Sequence, residues 1–375
     1  MRFVLSSSAL SSRLNMLSKV ISSKNSMPIL ECFLFEVNGN EMTITASDSD
    51  NVLTTTLELA ESDGSGAFCI PSHMMLGTMK ELPEQPLTFE VDTENFAVKL
   101  MYQNGLYNFT AQSAEEYPHN QPMSTDTCNT AVIPSQVMVD AISRSLFATA
   151  NDELRPIMNG IYFDLTPESL TIVASDGHKL VRNREFGIKG DTTAAFDLPK
   201  KPAGLLKNVL SRDGGDVTIR FDARNAEIEY DEGVLSCRLI DGRYPNYNSV
   251  IPTNNPCEVT VDRRAMLSAL RRVIPFASES SQLIRIHIET GRIEISSEDL
   301  DFATAAQEQL ACEYAGQPMS IGFKGSSLME TLSNLTCDQI VLKLADPSRA
   351  GIIVPAEQDE TEDILMLIMP MLLND

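Results

Sequence analysis

The chain repeats itself three times, and that repeat restricts what its 375 residues can fold into more than any other feature. Residues 28–53, PILECFLFEVNGNEMTITASDSDNVL, lie over residues 156–181, PIMNGIYFDLTPESLTIVASDGHKLV, at a constant offset of 128 with 8 identities in 26. A third copy keeps the pattern rather than the letters. Ile284, Ile286 and Ile288, then Ile293 and Ile295 before Ser296-Ser297-Glu298-Asp299, fall at an offset near 251 with a slightly shorter loop. The register extends beyond these strands: Leu10, Met138 and Met266 are 128 apart, as are Leu14, Ile142 and Leu270. Each series sits in a segment of helically spaced apolar residues, the stripe Leu10, Leu14, Leu17, Ile21 being the clearest. Downstream, Phe68-Cys69-Ile70-Pro71 matches Phe196-Asp197-Leu198-Pro199 and Ile321-Gly322-Phe323-Lys324, each opening a second helix-like segment. Chance likeness of generic patterning does not hold one register across strands and two helices at once.

Between the helices the period is two. Met42, Ile44 and Ala46 alternate with polar residues, as do Leu170, Ile172 and Ala174, the signature of half-buried antiparallel strand. Val37-Asn38-Gly39-Asn40 and Thr290-Gly291 supply hairpin turns. The reading is three α+β domains of about 125 residues, each two helices packed on antiparallel strands, spanning 1–127, 128–255 and 256–375, with boundaries in Pro/Asn/Thr-rich stretches.

Composition excludes several classes. A hydrophobic content of 43% is ample for sizeable cores, so the chain is neither disordered nor fibrous. Its long apolar run, Ile364–Leu373 with Pro370 inside, is half of what a bilayer crossing requires, and Arg2-Phe3-Val4-Leu5 gives way to serines and Arg13 without a secretory core, so a cytoplasmic location is expected. Seven cysteines (Cys32, Cys69, Cys128, Cys237, Cys257, Cys312, Cys337) are scattered and never spaced as CxxC, the pattern of reduced thiols rather than a disulfide framework or zinc site. Four histidines and no tryptophan leave little for histidine-based chemistry, and no cofactor or metal is expected.

The formal charge of −23, taken as a total, repels nucleic acid, but its distribution reverses that expectation. The six helix-like segments 5–24, 71–82, 134–149, 199–212, 262–276 and 324–335 hold 14 of the 29 Lys/Arg and only 4 of the 52 Asp/Glu. A single basic helix is usually a solvated face; six equivalent elements sharing one sign form a pattern. If the strands of the three domains join into an outer wall, the helices line a common positive face suited to phosphates, with sequence-independent backbone contacts. The negative remainder would keep DNA off the exterior. No base-reading module and no interleaved aromatics for single strands are present.

Ala174-Ser175-Asp176-Gly177-His178-Lys179-Leu180, Asp241-Gly242-Arg243-Tyr244-Pro245-Asn246-Tyr247 and Met369-Pro370-Met371, set on three repeats, together resemble the bacterial DNA polymerase III beta subunit, the sliding-clamp family, over the whole chain in order. The resemblance implies a head-to-tail homodimer whose six domains close a ring, each chain forming half, around double-stranded DNA. Such a ring needs no catalytic residue; it slides while tethering the polymerase III catalytic subunit and other polymerases and repair proteins, and a clamp loader complex opens it. By similarity the duplex is approached by Lys24, His73, Lys80, Arg144, Arg155, Lys200, Lys201, Lys207, Arg263, Arg264, Arg271 and Arg272, with His73 standing where many members carry arginine. A groove for short apolar partner peptides is implied at Met158, Ala174, Gly177, His178, Lys179, Leu180, Pro245, Val250, Ser348, Ala350, Leu367, Met369, Pro370 and Met371. Its methionines are flexible enough to accommodate several partners. At the dimer interface the resemblance implies Tyr107 and Phe109 of one subunit against Ile274 of the other. The chain departs from the family's usual ending in Leu372-Leu373-Asn374-Asp375, and in Ser249 and Ser327 where larger side chains are common.

Two rivals remain. Ser175, Asp176 and His178 invite a hydrolase reading, but neighbours in one turn cannot converge as a triad. Asp48, Asp176 and Asp299 recur once per domain and invite a metal-site reading, yet at strand ends an Asx turn explains them. The other rival is a repeat-built scaffold that binds only proteins. A two-domain clamp architecture is disfavoured by the third repeat, and with no P-loop in the sequence any loading ATPase is a separate protein.

Overall fold

The computed structural model describes residues 1–22, 27–118, 123 and 128–373. They form two compact units: Met1–Val139 with Gly204–Leu239, and Asp140–Ala203 with Ile240–Asp375. The helices are α1 (Ser7–Leu17), α2 (Ser72–Lys80), α3 (Ser135–Ser145), α4 (Lys200–Val209), α5 (Arg263–Val273) and α6 (Gly325–Ser333). Every one falls inside an expected segment, trimmed at its start because Pro71, Pro134, Pro199, Asp262 and Lys324 still belong to the preceding strand. The first helix stops earlier than its apolar stripe. Leu10, Leu14 and Leu17 are fully buried, but Val20 N–H bonds back to Leu17 O in a tighter turn, and Ile21 lies beyond the helix. Among the described residues no helix is long and apolar enough to cross a membrane.

In the first unit, a five-stranded sheet runs in the order Glu61–Ser62, Arg2–Ser6, Pro86–Val91, Ala97–Tyr102, Gly105–Thr110. A nine-stranded sheet joins the hairpin Cys32–Asn38/Glu41–Ser47 and the strand Asn51–Glu58 to strands of the next repeat, because Asn51–Glu58 pairs antiparallel with Gly233–Arg238. The second unit uses the same device. Lys179–Glu185 pairs with Glu362–Ile368, with Leu180 opposite Leu367, and so fuses strands of the second and third repeats into an eight-stranded sheet. A four-stranded sheet in the order Thr304–Ala311, Arg292–Asp299, Leu283–Glu289, Met319–Lys324 completes it.

The repeat is physical as well as textual. Phe35 and Phe68 are cross-strand partners stacked at 5.4 Å; Phe163 and Phe196, 128 residues on, are partners stacked at 4.7 Å; in the third repeat Ile286 opposes Ile321. All six are buried, each such side chain worth roughly 1.5–3 kcal/mol. Gly39 and Gly291 take positive φ (60° and 74°) in their hairpins, as the sequence requires. The recurring aspartates are turn residues. Asp48 Oδ1 accepts from Asp50 and Asn51 N–H, Asp176 Oδ1 from His178 and Lys179, and Asp299 Oδ1 from Asp301 and Phe302.

Candidate peptide groove and cationic helices

A groove of about 510 Å³ opens on the second unit where Lys179–Glu185, Glu362–Ile368 and Gly351–Pro355 lie side by side. Its floor is Leu180, Tyr244, Tyr247, Ala350 and Leu367, which belong to one buried cluster with Val173, Ile352 and Leu365. Alternation along the strands aims Leu180 and Leu367 at this face, and their register partnership places them side by side. Tyr244 is held by Tyr162, stacked beneath it at 4.5 Å, and Tyr247 by its hydroxyl's 2.9 Å hydrogen bond to Asp164 Oδ2. Burial, with the Asp164 charge beside it, pushes the Tyr247 phenol up to about 12, so it remains a neutral donor. Val250 stands on the rim, 57% exposed.

One wall is fixed by the turn that follows Ser175. Ser175 Oγ donates to Lys179 O at 2.9 Å, Gly177 takes φ 89°, and Met369 N–H donates to His178 O at 2.8 Å. Lys179 is almost buried, its ammonium 2.9 Å from Asp176 and 3.2 Å from Glu330 of α6. Burial alone would lower its pKa; the two carboxylates outweigh that and hold it above its ordinary value. Below the floor, both carboxylate oxygens of Asp197 are buried without a hydrogen-bond partner among the described residues. Desolvation pushes its pKa up to about 8, so it is protonated at neutral pH.

Ten of the expected groove residues line this cavity: Met158, Gly177, Lys179, Leu180, Pro245, Val250, Ser348, Ala350, Leu367 and Met369. Ala174 is wholly buried in its strand, His178 contributes its carbonyl, and Met371 forms a bridge to Gly322, so these three and Pro370 stand outside the lining. Ser175, Tyr244, Asn246, Tyr247, Pro252 and Arg349 line it without having been expected. A signal for Tyr244 exists in the repeat: Tyr117-Pro118 recurs as Tyr244-Pro245 at an offset of 127, one short of the repeat's 128.

The helix cations divide into two kinds. His73 and Lys80 on α2, Lys200, Lys201 and Lys207 on α4, and Arg264 and Arg271 on α5 are exposed; seven residues separate His73 from Lys80 and Arg264 from Arg271, two turns apart on one face. Arg155 is exposed in a loop with Nε 2.8 Å from Asp152, and Arg272 is exposed with its guanidinium held in both directions by Glu308 at 2.5 and 2.7 Å. Arg144 is mostly covered and pairs with Glu362 at 3.2 Å. Arg263 is a correction to the sequence reading. It is buried, donating from Nε to Cys337 O at 2.5 Å and from Nη1 to Leu332 O at 3.1 Å, so it satisfies carbonyls around the end of α6 instead of meeting phosphate. Lys24 lies outside the described residues. Tyr107 stacks on Tyr102 at 5.0 Å on the edge strand Gly105–Thr110, with Phe109 half-buried on the same face, and Ile274 follows the end of α5, also half-buried.

Family models for the DNA polymerase III beta subunit match the chain in series: the N-terminal domain over residues 1–121, the central domain over 132–246 and the C-terminal domain over 248–371. A beta sliding clamp of Pseudomonas putida is 25% identical over 370 residues, covering 98% of this chain and 99% of that one. Its counterpart in Haemophilus influenzae is 26% identical over 371 residues, with 98% and 99% covered. In fold, the chain superposes on the crystal structure of the Pseudomonas aeruginosa sliding clamp with a TM-score of 0.91 at 23% identity, and on that of Bartonella birtlesii bound to griselimycin with 0.91 at 24%, covering 100% of both chains in each case.

Proposed function

We propose how this chain works from one premise: it belongs to the DNA polymerase III beta subunit family and is a DNA sliding clamp, a non-catalytic processivity subunit. Two copies join head to tail, each contributing repeat units 1–127, 128–255 and 256–375, and the closed ring holds duplex DNA by topology. Its lining therefore needs only weak, sequence-blind attraction, which His73, Lys80, Lys200, Lys201, Lys207, Arg264, Arg271 and Arg272 on helices supply, with Arg144, Arg155 and Lys24 adding to it. The observation that carries this reading is the segregation of charge: a chain of net −23 places 14 cations and 4 carboxylates on its six helix segments.

Ring closure is proposed at two open sheet edges. Gly105–Thr110 and Thr304–Ala311 are each outermost in their sheets and at least six residues long, presenting N–H and C=O groups to a further strand. Tyr107 and Phe109 lie on the first edge, and the turn that begins at Ile274 packs beside the second. The groove at Leu180, Leu367, Tyr244 and Pro245 takes short apolar peptides from the polymerase catalytic subunit, the clamp loader and other polymerases and repair proteins. Griselimycin, bound in the Bartonella birtlesii clamp structure, is proposed to bind this chain too and to compete with such peptides.

The test is gel filtration with light scattering, followed by retention on nicked circular and on linearised DNA after incubation with a matching loader. A mass near twice 41.3 kDa, retention on circles and loss from linear ends are expected. A monomer that is never trapped on circles would leave the protein-binding scaffold as the better reading.

A further inference from the structure

The groove's charge is out of keeping with the rest of the molecule. In a chain of net −23 its lining contains two cations, Lys179 and Arg349, and no carboxylate. The two cations are in different states. Lys179 is 11% exposed and already matched by Asp176 and Glu330, whereas the Arg349 side chain is 50% exposed. Its nearest carboxylate, Asp346 Oδ2, is 3.7 Å from Nε, an ion pair without a hydrogen bond, and Asp346 Oδ1 is occupied by Ser348 N at 2.9 Å and Ser348 Oγ at 2.6 Å. Arg349 Nη1 donates to Asn254 O at 3.2 Å, and Nη2 has no hydrogen-bond partner among the described residues. The guanidinium is thus steadied on one side and open on the other, so engaging a ligand costs it little further ordering.

Its place relative to the apolar floor is set by strand register. Gly351 pairs with Ile368, and Ile368 with Lys179, so Arg349, two residues before Gly351, sits at the same end of the sheet as Lys179, where the chain leaves as Met369. Two strand spacings, roughly 10 Å, separate these positions. A peptide with leucine or phenylalanine side chains on Leu180, Leu367 and Tyr244 therefore passes within a residue or two of Arg349.

Resting on the peptide-groove reading above, we infer that Arg349 is a specificity-determining residue: it selects partner peptides that carry a carboxylate beside their apolar anchors. The recognised chemistry is an Asp or Glu side chain accepting from the open edge of the guanidinium. A neutral peptide of the same shape binds through the floor alone and leaves that edge to water.

The experiment uses the full-length protein and a fluorescein-labelled, amidated probe, Gly-Ser-Leu-Ser-Leu-Phe-Ser-Gly, with a scan that places a single Glu at each serine or glycine in turn. Anisotropy titrations are run against the unchanged protein, Arg349→Gln and Arg349→Lys. At one position Glu is expected to tighten binding by about three- to five-fold, the range of a partly exposed ion pair. The quantity read within each variant is the affinity ratio of the Glu probe to the parent: Arg349→Gln should bring that ratio to one, Arg349→Lys should keep part of the gain, and added salt should erode it. If the parent binds but no Glu position gains, or the gain survives in Arg349→Gln, the inference is overturned while the groove stands. If no probe binds the unchanged protein or is displaced by griselimycin, the groove reading itself fails and takes the inference with it.

Discussion

Two seams in this molecule are built from one template and differ in what they leave open. In the first unit Asn51–Glu58 pairs with Gly233–Arg238; in the second Lys179–Glu185 pairs with Glu362–Ile368. At the equivalent step the first seam presents Val52 opposite Ser236, both half-buried, and the second presents Leu180 opposite Leu367, which floor the groove. Beside the first seam, Ile29, Leu30, Cys32, Leu34, Cys69 and Tyr117 close into a sealed cluster with Tyr117 1% exposed. Their repeat equivalents are Ile157, Met158, Gly160, Tyr162, Asp197 and Tyr244, of which Met158 and Tyr244 line the groove. Where the first repeat has a sealed cluster the second has an open groove, and the two differ at a few register positions on the same strand pattern.

The sharpest way to break the comparison is at Gly160, where the first repeat has Cys32. A Cβ there would overlap Asp197 Oδ1 and lie 2.8 Å from both Leu198 O and Ile240 Cδ1. The backbone carbonyl cannot move aside, so Gly160→Ala should cost about 3 kcal/mol of stability, read from the denaturation midpoint. Adding Asp197→Ala should recover part of that. If Gly160→Ala is neutral, the close packing under Tyr244 is not what distinguishes the second repeat.

The next largest effect concerns binding. Leu367→Ser imports the first seam's residue into the second and removes most of a buried leucine from the floor, so apolar probe peptides should bind roughly tenfold more weakly, about 1.4 kcal/mol. The reverse exchange, Val52→Leu with Ser236→Leu, should create no binding, because Tyr117 still seals that cluster. Peptide capture by the double variant at the first seam would show that the floor residues alone decide.

These seams also show what was legible before the structure. Hairpins, helices and turn aspartates follow from local chemistry and from an offset of 128, so the alternation at Met42 and Leu170 and the glycines at 39 and 291 suffice to place them. Which strands of neighbouring repeats pair is a non-local choice, carried by Leu180 meeting Leu367 across 187 positions, and no period within one repeat encodes it. Arg263 misled for a similar reason. In sequence it is one more cation on a basic helix; only the proximity of Leu332 O and Cys337 O makes it a buried donor. Arg349 was missed because an arginine beside Asp346 in a loop has no pattern until strand register sets it at the rim.

A pH series separates the two units. Asp197 has a pKa pushed up to about 8 by burial, while its equivalent in the first repeat, Cys69, is a thiol pushed up to about 12. Between an ordinary carboxylate value and about 8 the unfolded chain has released this proton and the folded chain keeps it, so stability falls as pH rises, by at most about 1.4 kcal/mol per unit, and levels off above. Glu185, raised to about 7 by burial and by Glu362 across the strand pair, acts in the same direction over a narrower window. Asp197→Asn should flatten the decline from pH 5 to 8, leaving the part due to Glu185, which ends near 7. An unchanged slope in thermal midpoints would assign the decline elsewhere.

The smallest effect tests the template itself. Ser49 and Gly177 are equivalent by the offset of 128, and both hold left-handed backbone, at φ 82° and 89°. An L-residue pays roughly 1–2 kcal/mol there that glycine does not, offset in part by the greater chain entropy glycine loses on folding. Ser49→Gly should therefore stabilise by about 0.5–1 kcal/mol, and Gly177→Ser should destabilise by a similar amount. The Ser49 N–H bond to Ser47 Oγ at 3.1 Å uses the backbone and survives the first exchange, while a Cβ at Gly177 meets only the movable end of Arg155 at 3.3 Å. Conformation is thus the main term in both exchanges, and equal and opposite shifts in midpoint are the outcome expected if the two turns are one structure. Unequal shifts would show that the groove, through Arg155 and the wall at Lys179, adds its own demand on Gly177.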